Sequence, residues 1–403
     1  VRILYIASRF PYPLEKGDKL RAYYHLRELA ALGHEITLCA LTDTEVSAQE
    51  EAELAKFCAQ IHIFRLSRWH FLSQLPAWFF ARRPIQIGYF WSAKIGAKIA
   101  KIAHDTRPDL VWTQLVRMSE YSRRLPNLKI LDIMDALSAN TSRWADAAAW
   151  YLRPILRREA RLLRKYENDI VADFDANFII SEQDAQLLPF SAAERARLPI
   201  FVSPNGVDTH FFDKNALPQP IAPPSFEFVF VGNMGYAPNV AAAQYLAQEI
   251  MPLIWQTAPQ ARLLLAGARP HKSVLTLAQD TRIVVSGWID DIRTAYCSSQ
   301  IMLAPLFIGS GQQNKILEAM ALGLACVTTR LVNNAIHAQP DHTIMIADTP
   351  QEFAQAALTL LRDSRKTENM GAAAQQFVQQ QYDWAAQTQQ ILADTATQSA
   401  QKK

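Results

Sequence analysis

Only four of the 403 residues are cysteine, Cys39, Cys58, Cys297 and Cys326, and no two form a CxxC pair. A chain this long does not need a disulfide scaffold, so a reduced, cytoplasmic setting is expected. No run approaches the roughly 18 uncharged apolar residues of a membrane span, which leaves a protein that is soluble or rests on a membrane without crossing it. The opening VRILYIASRFPYP has a short apolar run and no small-residue cleavage site, so it reads as a strand and loop rather than a secretory signal. A strong excess of one charge is missing too. The 41 basic and 38 acidic residues give +3, too little for a nucleic-acid partner. The nine histidines show no metal-ligand spacing.

What is present is a 50% hydrophobic chain long enough for two domains with separate cores. The charge is uneven: residues 1–205 hold 28 basic and 23 acidic residues, +5, and the remaining 13 and 15 give −2. A mildly basic front half suits an anionic surface or substrate. Strand and helix patterns alternate from Ile3 onward, through DLVWTQ (109–114) and KILDIMD (129–135). A long helix is expected from about Trp144 to Phe174, then the strand ANFIIS (176–181). Residues 198–226 contain six prolines and little periodicity, after which the alternation restarts. The expected organisation is a Rossmann-like domain at 1–198, a linker at 199–225 and a second Rossmann-like domain at 226–372. A helical segment at 373–403 follows, packing back on the first domain and ending in a disordered SAQKK tail.

One stretch carries chemistry. GSGQQNKILEAMALG (309–323) runs from a glycine and amide loop into an amphipathic helix with Ile316, Leu317, Met320 and Ala321 on its apolar side. Unpaired N–H groups at a helix start attract an anion such as diphosphate, and glycine lets a ligand approach the backbone. Lys315 adds a positive charge there. Glu318 is placed to accept from vicinal hydroxyls such as a ribose diol. The plainer alternative is a dipole-complementing Glu318 and a solvated Lys315.

Further motifs are PYPLEKGDKLRAYYHLRELAALGHEITL near the start, DIMDALS (132–138), SPNGVD (203–208), FVGNMGYAPN (230–239) and GWIDDIRTAY (287–296). With GQQNKILEAMALG (311–323) they lie in order along nearly the whole chain. In this combination the chain resembles the retaining GT-B glycosyltransferases of family 4 and is most similar to the branch associated with exopolysaccharide and PEP-CTERM export. The resemblance implies an α/β GT-B fold, two doubly wound domains facing a central cleft. It implies a UDP- or GDP-sugar as substrate, with no cofactor, bound mainly by the second domain.

By that resemblance Glu318 holds the ribose, and Lys315 with the amides around Ile316 and Leu317 holds the phosphates. Gly232, Asn233, Ser310, Gly311, Gln312 and Asn314 line the donor, and the Trp288–Ile289 turn borders the base. Many relatives carry a second glutamate eight residues before the ribose glutamate. Here that position is Ser310, which leaves the sugar open. Gly17 falls on the family's glycine loop near the donor phosphates and the acceptor. For its neighbours Lys16, Asp18, Lys19 and Arg21, a solvated loop is the preferred reading. Asp135, at a strand's C-terminal end, is the expected catalytic acid, orienting a sugar hydroxyl or steadying charge at the anomeric carbon. Asp132 reads better as a cap or turn acid, and His25 as a structural helix residue. The acid pairs at 132/135 and 290–291 are not DxD motifs, and no metal is expected.

Two stretches suit an anionic membrane: FRLSRWHFLSQLPAWFFARRP (64–84), rich in Trp, Phe and Arg, and YLRPILRREARLLRKYE (151–167), with six basic and two acidic residues. For the second, a core-facing helix with a solvated basic side is the preferred alternative. The expected function is retaining transfer of a sugar to a glycan or lipid-linked acceptor in cell-surface polysaccharide synthesis. An epimerase on the same fold and a non-catalytic nucleotide-sugar or membrane-binding subunit are the rivals.

Overall fold

The computed structural model describes residues 1–66, 83–195, 197–217, 225–307 and 312–401. The chain divides into two units, Val1–Pro204 with Gln387–Lys403, and Asn205–Ala386.

Unit 1 is built on seven parallel strands: β1 (Arg2–Ala7), β2 (Glu35–Thr42), β3 (Gln60–Arg65), β4 (Leu110–Gln114), β5 (Leu128–Met134), β6 (Ala176–Ile179) and β7 (Ile200–Val202). Their order is β3-β2-β1-β4-β5-β6-β7. Strands such as RILYIA and LVWTQ are buried almost throughout, because helices cover both faces of a parallel sheet. The order reverses between β1 and β4, and the crevice beyond the strand C-termini at such a point is where open α/β sheets bind ligands. The helices that matter here are α1 (Gly17–Ala31), α2 (Leu137–Ala147) and α3 (Arg153–Ile170).

The single helix expected over 144–174 is thus two. Pro154 fits the break: it lacks the N–H that would continue the ladder from α2, and it is well tolerated in the first turn, where it stands. Ile200–Val202, read from the sequence as linker, is a three-residue edge strand between Pro199 and Pro204.

Unit 2 repeats the plan with β8 (Phe226–Val231), β9 (Leu263–Ala266), β10 (Ile283–Gly287), β11 (Ser299–Ala304), β12 (Ala325–Thr328) and β13 (Met345–Ile346), all parallel. The order is β10-β9-β8-β11-β12-β13, with its switch between β8 and β11. Helices α4 (Ala237–Tyr245), α5 (Asn314–Ala321), α6 (Pro350–Arg362) and α7 (Ser364–Gln381) belong to this unit. The final helix α8 (Trp384–Gln401) starts after Asp383, whose carboxylate accepts from Ala385 N at 3.0 Å and so separates it from α7. Ser399 and Ala400, expected to be disordered, are helical. From Gln387 onward α8 belongs to unit 1, where Ile391 enters the core. Among the described residues no helix is long and apolar enough to cross a membrane.

Candidate functional site

In unit 2 the loops after β8 and β9 meet the start of α5. Gly267 has φ 136°, and a Cβ there would lie 1.9 Å from the Gly232 carbonyl oxygen, so only glycine lets these two turns pack. Gly232 sits against the α5 lysine. A Cβ on it would come within 2.7 Å of Asn239 Nδ2 and 3.2 Å of Lys315 Nζ. Asn233 folds its own turn, accepting from Gly235 N at 3.0 Å, and its carbonyl receives Asn239 Nδ2 at 3.0 Å.

Helix α5 buries Ile316, Leu317, Ala319, Met320 and Ala321. Its polar side carries the chemistry. Lys315 Nζ donates to Asn239 Oδ1 at 2.5 Å and lies 5.1 Å from the Phe230 ring centroid. Burial pushes its pKa down to about 8, with Glu318 pulling the other way. Glu318 lies one full turn into the helix rather than in its first turn. Burial raises its pKa, opposed by Tyr296 and Lys315. Tyr296, fully buried, donates from its hydroxyl to Glu318 Oε2 at 2.9 Å and also lies 3.2 Å from the Lys315 carbonyl. Among the described residues the other oxygen of Glu318 has no hydrogen-bond partner, which leaves it for an incoming hydroxyl.

The remaining predicted donor residues are placed unevenly. Asn314 begins α5 with its Oδ1 shut away from solvent and unpartnered. Gln312 is committed to the chain: Nε2 donates to the Asn205 carbonyl at 2.6 Å and Oε1 accepts from Asn205 N at 2.8 Å, tying the SPNGVD turn to the loop before α5. Ser310 and Gly311 lie outside the described residues. Ile289 packs on the edge of the core, while Trp288 is 73% exposed and donates from Nε1 to Asp290 Oδ1 at 2.9 Å. Asp291 forms a fork with Arg293, 2.6 Å at its shortest. Among the described residues no cluster of three or more His, Cys, Asp and Glu side chains could hold a metal ion.

In unit 1, Gly17 opens α1 and is exposed, and an added Cβ would meet nothing within 4 Å, so no steric demand for glycine arises there. Two neighbours depart from the solvated-loop reading. Asp18 pairs with Arg9 and accepts weakly from Ser8 Oγ at 3.5 Å. Arg21 is completely buried, its Nε 2.7 Å from Asp132 Oδ2 and its Nη1 3.2 Å from the Pro204 carbonyl. Asp132 is therefore no cap or turn acid but half of a core ion pair; its period along α1 puts Arg21 on the inward face with Ala22 and His25. Buried His25 contacts Thr388 Oγ1 at 3.0 Å and packs on Trp112, and burial lowers its pKa.

Asp135 stands at the C-terminal edge of β5, half-buried. Just before it the β5–β6 register shifts and Met134 takes φ 66°; Leu115, at the end of neighbouring β4, takes φ 69°. Left-handed backbone at non-glycine residues costs roughly 1–3 kcal/mol each and gathers at functional edges. Asn140 Nδ2 donates to Asp135 Oδ2 at 2.8 Å. Burial raises the Asp135 pKa, Arg117 lowers it and Asp184 adds to the rise. Glu167, from α3, accepts from Ser138 N at 3.1 Å beneath this turn, and burial pushes its pKa up to about 7.

Sequence reasoning passed over Tyr296, Asn239, Arg117 and Glu167. The first two were within reach, since they close the motifs GWIDDIRTAY and FVGNMGYAPN. Arg117 and Glu167 lie in no motif.

Residues 225–363, the greater part of unit 2, match the family described as Glycosyl transferases group 1. The chain is 19% identical over 405 aligned residues to a Klebsiella pneumoniae protein described as an uncharacterized 44.6 kDa protein in the cps region, covering 95% of this chain and 96% of that one. A glycosyltransferase structure from Rickettsia africae superposes with a TM-score of 0.68 at 16% identity, covering 98% of each chain. HepE from Anabaena, in complex with UDP and glucose, does so with a TM-score of 0.64 at 15% identity, covering 98% of this chain and 99% of that one. The fold is that of GT-B glycosyltransferases.

Proposed function

We propose that this chain is a glycosyltransferase that takes a sugar from a nucleotide-diphosphate sugar, a UDP- or GDP-sugar, with unit 2 as the donor-binding unit. The observation that carries the reading is the Lys315–Glu318 face of α5. A half-buried ammonium, hydrogen-bonded to a neutral amide, stands beside a carboxylate that Tyr296 orients through one oxygen. The ammonium with the helix start suits a diphosphate, and the open carboxylate oxygen suits a ribose diol. This charge arrangement needs neither cofactor nor metal. The family match over 225–363 and the UDP held by HepE support the same assignment.

The finer reading is hexosyl transfer with retention, in family 4 and its exopolysaccharide-associated branch. The acceptor is a glycan or lipid-linked glycan bound by unit 1, at an anionic membrane surface on the cytoplasmic side. Asp135 orients a hydroxyl of the transferred sugar or steadies charge at its anomeric carbon. The basic front half supports an anionic setting for unit 1, and the cps-region relative supports a role in cell-surface polysaccharide.

The test is thermal stabilisation by UDP, GDP and their common sugars, on wild type and Glu318→Ala. A ligand at about 100 times its Kd should add roughly 2.7 kcal/mol to wild type. One nucleotide should produce the shift, and the variant should lose it. Absence of any shift in wild type would sink the donor site. Binding with conversion of the nucleotide sugar to an isomer, and no acceptor needed, would mark an epimerase.

A further inference from the structure

The helix pattern of 151–167 admitted either a core face or a membrane face, and the structure divides it. Toward its C-terminal end, α3 buries Ala160, Leu163, Glu167 and Ile170 against unit 1. Just before α3 and in its first turn, and on α2, apolar residues stay outside. Trp150 is 80% and Trp144 67% exposed, and Tyr151, Leu152 and Ile155 are exposed with them. A soluble surface tolerates scattered apolar residues, but Trp150, Tyr151, Leu152 and Ile155, exposed together within six residues of chain, form an apolar knuckle that marks an interaction site.

Near this knuckle, α2, α3 and the segment 186–191 border an open groove of about 920 Å³. Arg143, Arg157, Arg161 and Arg164 line it, with Asp146 as the one acid. The three arginines of α3 recur at four- and three-residue intervals, so they share a face and repel one another. Asp146 answers one of them, 3.4 Å from Arg157. The rest of the lining is small, neutral or apolar, including Ser142, Leu187 and Phe190. The groove lining thus sets four guanidinium groups against one acid, near amphipathic aromatics. Guanidinium forks match phosphate oxygens, and Trp, Tyr and Arg favour the headgroup zone of a bilayer.

We propose that the α2–α3 corner docks unit 1 on an anionic phospholipid surface, with Trp150, Tyr151, Leu152 and Ile155 in the interface and a lipid phosphate held in the arginine-lined groove. This rests on the reading that unit 1 works at an anionic membrane and names the residues that meet it. It does not involve the donor site of unit 2.

The full chain is floated with vesicles of phosphatidylcholine alone and of two-to-one phosphatidylcholine and phosphatidylglycerol. Recovery should be confined to the anionic vesicles and should fall as salt rises. Arg157→Glu with Arg161→Glu, and separately Trp150→Ser with Ile155→Ser, should each lower the partition about tenfold or more. These side chains are exposed, so melting temperature should hold, and the UDP or GDP shift should match wild type. Recovery equal on neutral vesicles, or unaltered in both double variants, overturns the proposal. So does saturable binding of free pyrophosphate without vesicle recovery, which would make the groove a soluble-anion site. Loss of the nucleotide shift in wild type would instead count against the donor reading and leave this one standing.

Discussion

Lys315→Met should make the ligand-free protein more stable and the ligand useless to it. The fall of the Lys315 pKa from its ordinary 10.5 to about 8 corresponds to roughly 3 kcal/mol withheld from the empty fold. Methionine fills a similar volume without the charge. It also strands Asn239 Oδ1, which now accepts at 2.5 Å, at a cost of roughly 1–2 kcal/mol. The net gain at neutral pH is then roughly 1–2 kcal/mol, or roughly 2–6 °C in the melting of a unit of this size. The sign with pH is definite. Burial lowers this pKa, so the cost is fully present below about pH 8 and gone above 10.5; the advantage of the variant should shrink between those limits. Differential scanning fluorimetry from pH 7 to the alkaline limit of the fold, with and without the preferred nucleotide, measures both effects. A variant that melts lower than wild type when empty, yet keeps the full nucleotide shift, refutes the argument that Lys315 is held in strain for an anion.

Gly232→Ala places a methyl 2.7 Å from Asn239 Nδ2 and 3.2 Å from Lys315 Nζ, so nucleotide affinity measured by calorimetry should fall at least about tenfold while the far-ultraviolet spectrum stays unchanged. Arg21→Met abandons Asp132 in the core and should cost roughly 3–5 kcal/mol in urea unfolding. That loss should lessen at acid pH, because the stranded carboxyl, its pKa already raised by burial, is then neutral. A loss that does not change with pH would mean that packing, not charge, carries the Arg21 contribution.

The two doubly wound sheets were legible because parallel strands, covered on both faces, appear as uninterrupted apolar runs between helical periods. DLVWTQ, KILDIMD and ANFIIS each hold a strand of the first sheet. Ile200–Val202 escaped because three residues between prolines carry no period. The α2–α3 break escaped because apolar periodicity continues across it, although Pro154 was there to be read. Glu318 and Lys315 could be singled out together because three-residue spacing on one helix fixes their proximity. Tyr296 and Asn239 reach them from other elements, and contacts across loops leave no spacing to detect. Arg21 and Asp132 show the opposite limit: two charges 111 positions apart pair in the core, and charge alone pointed to solvent.

Helix α8 makes residues 387–401 part of the unit that the first 204 residues build. Ile391 sits in the core of unit 1 with Ile3 and Trp112, and Thr388 meets buried His25. On the ribosome, residues 1–204 emerge long before this segment does, and unit 2 is made in between. Unit 2 holds its whole sequence first and can close before unit 1. The nascent front half must wait, with an apolar groove open, until residues 387–401 have emerged. An arrested chain lacking residues 387–401 should therefore be protease-sensitive in its front half and resistant in its later one. Folding of the part made first thus depends on a segment made after all of unit 2.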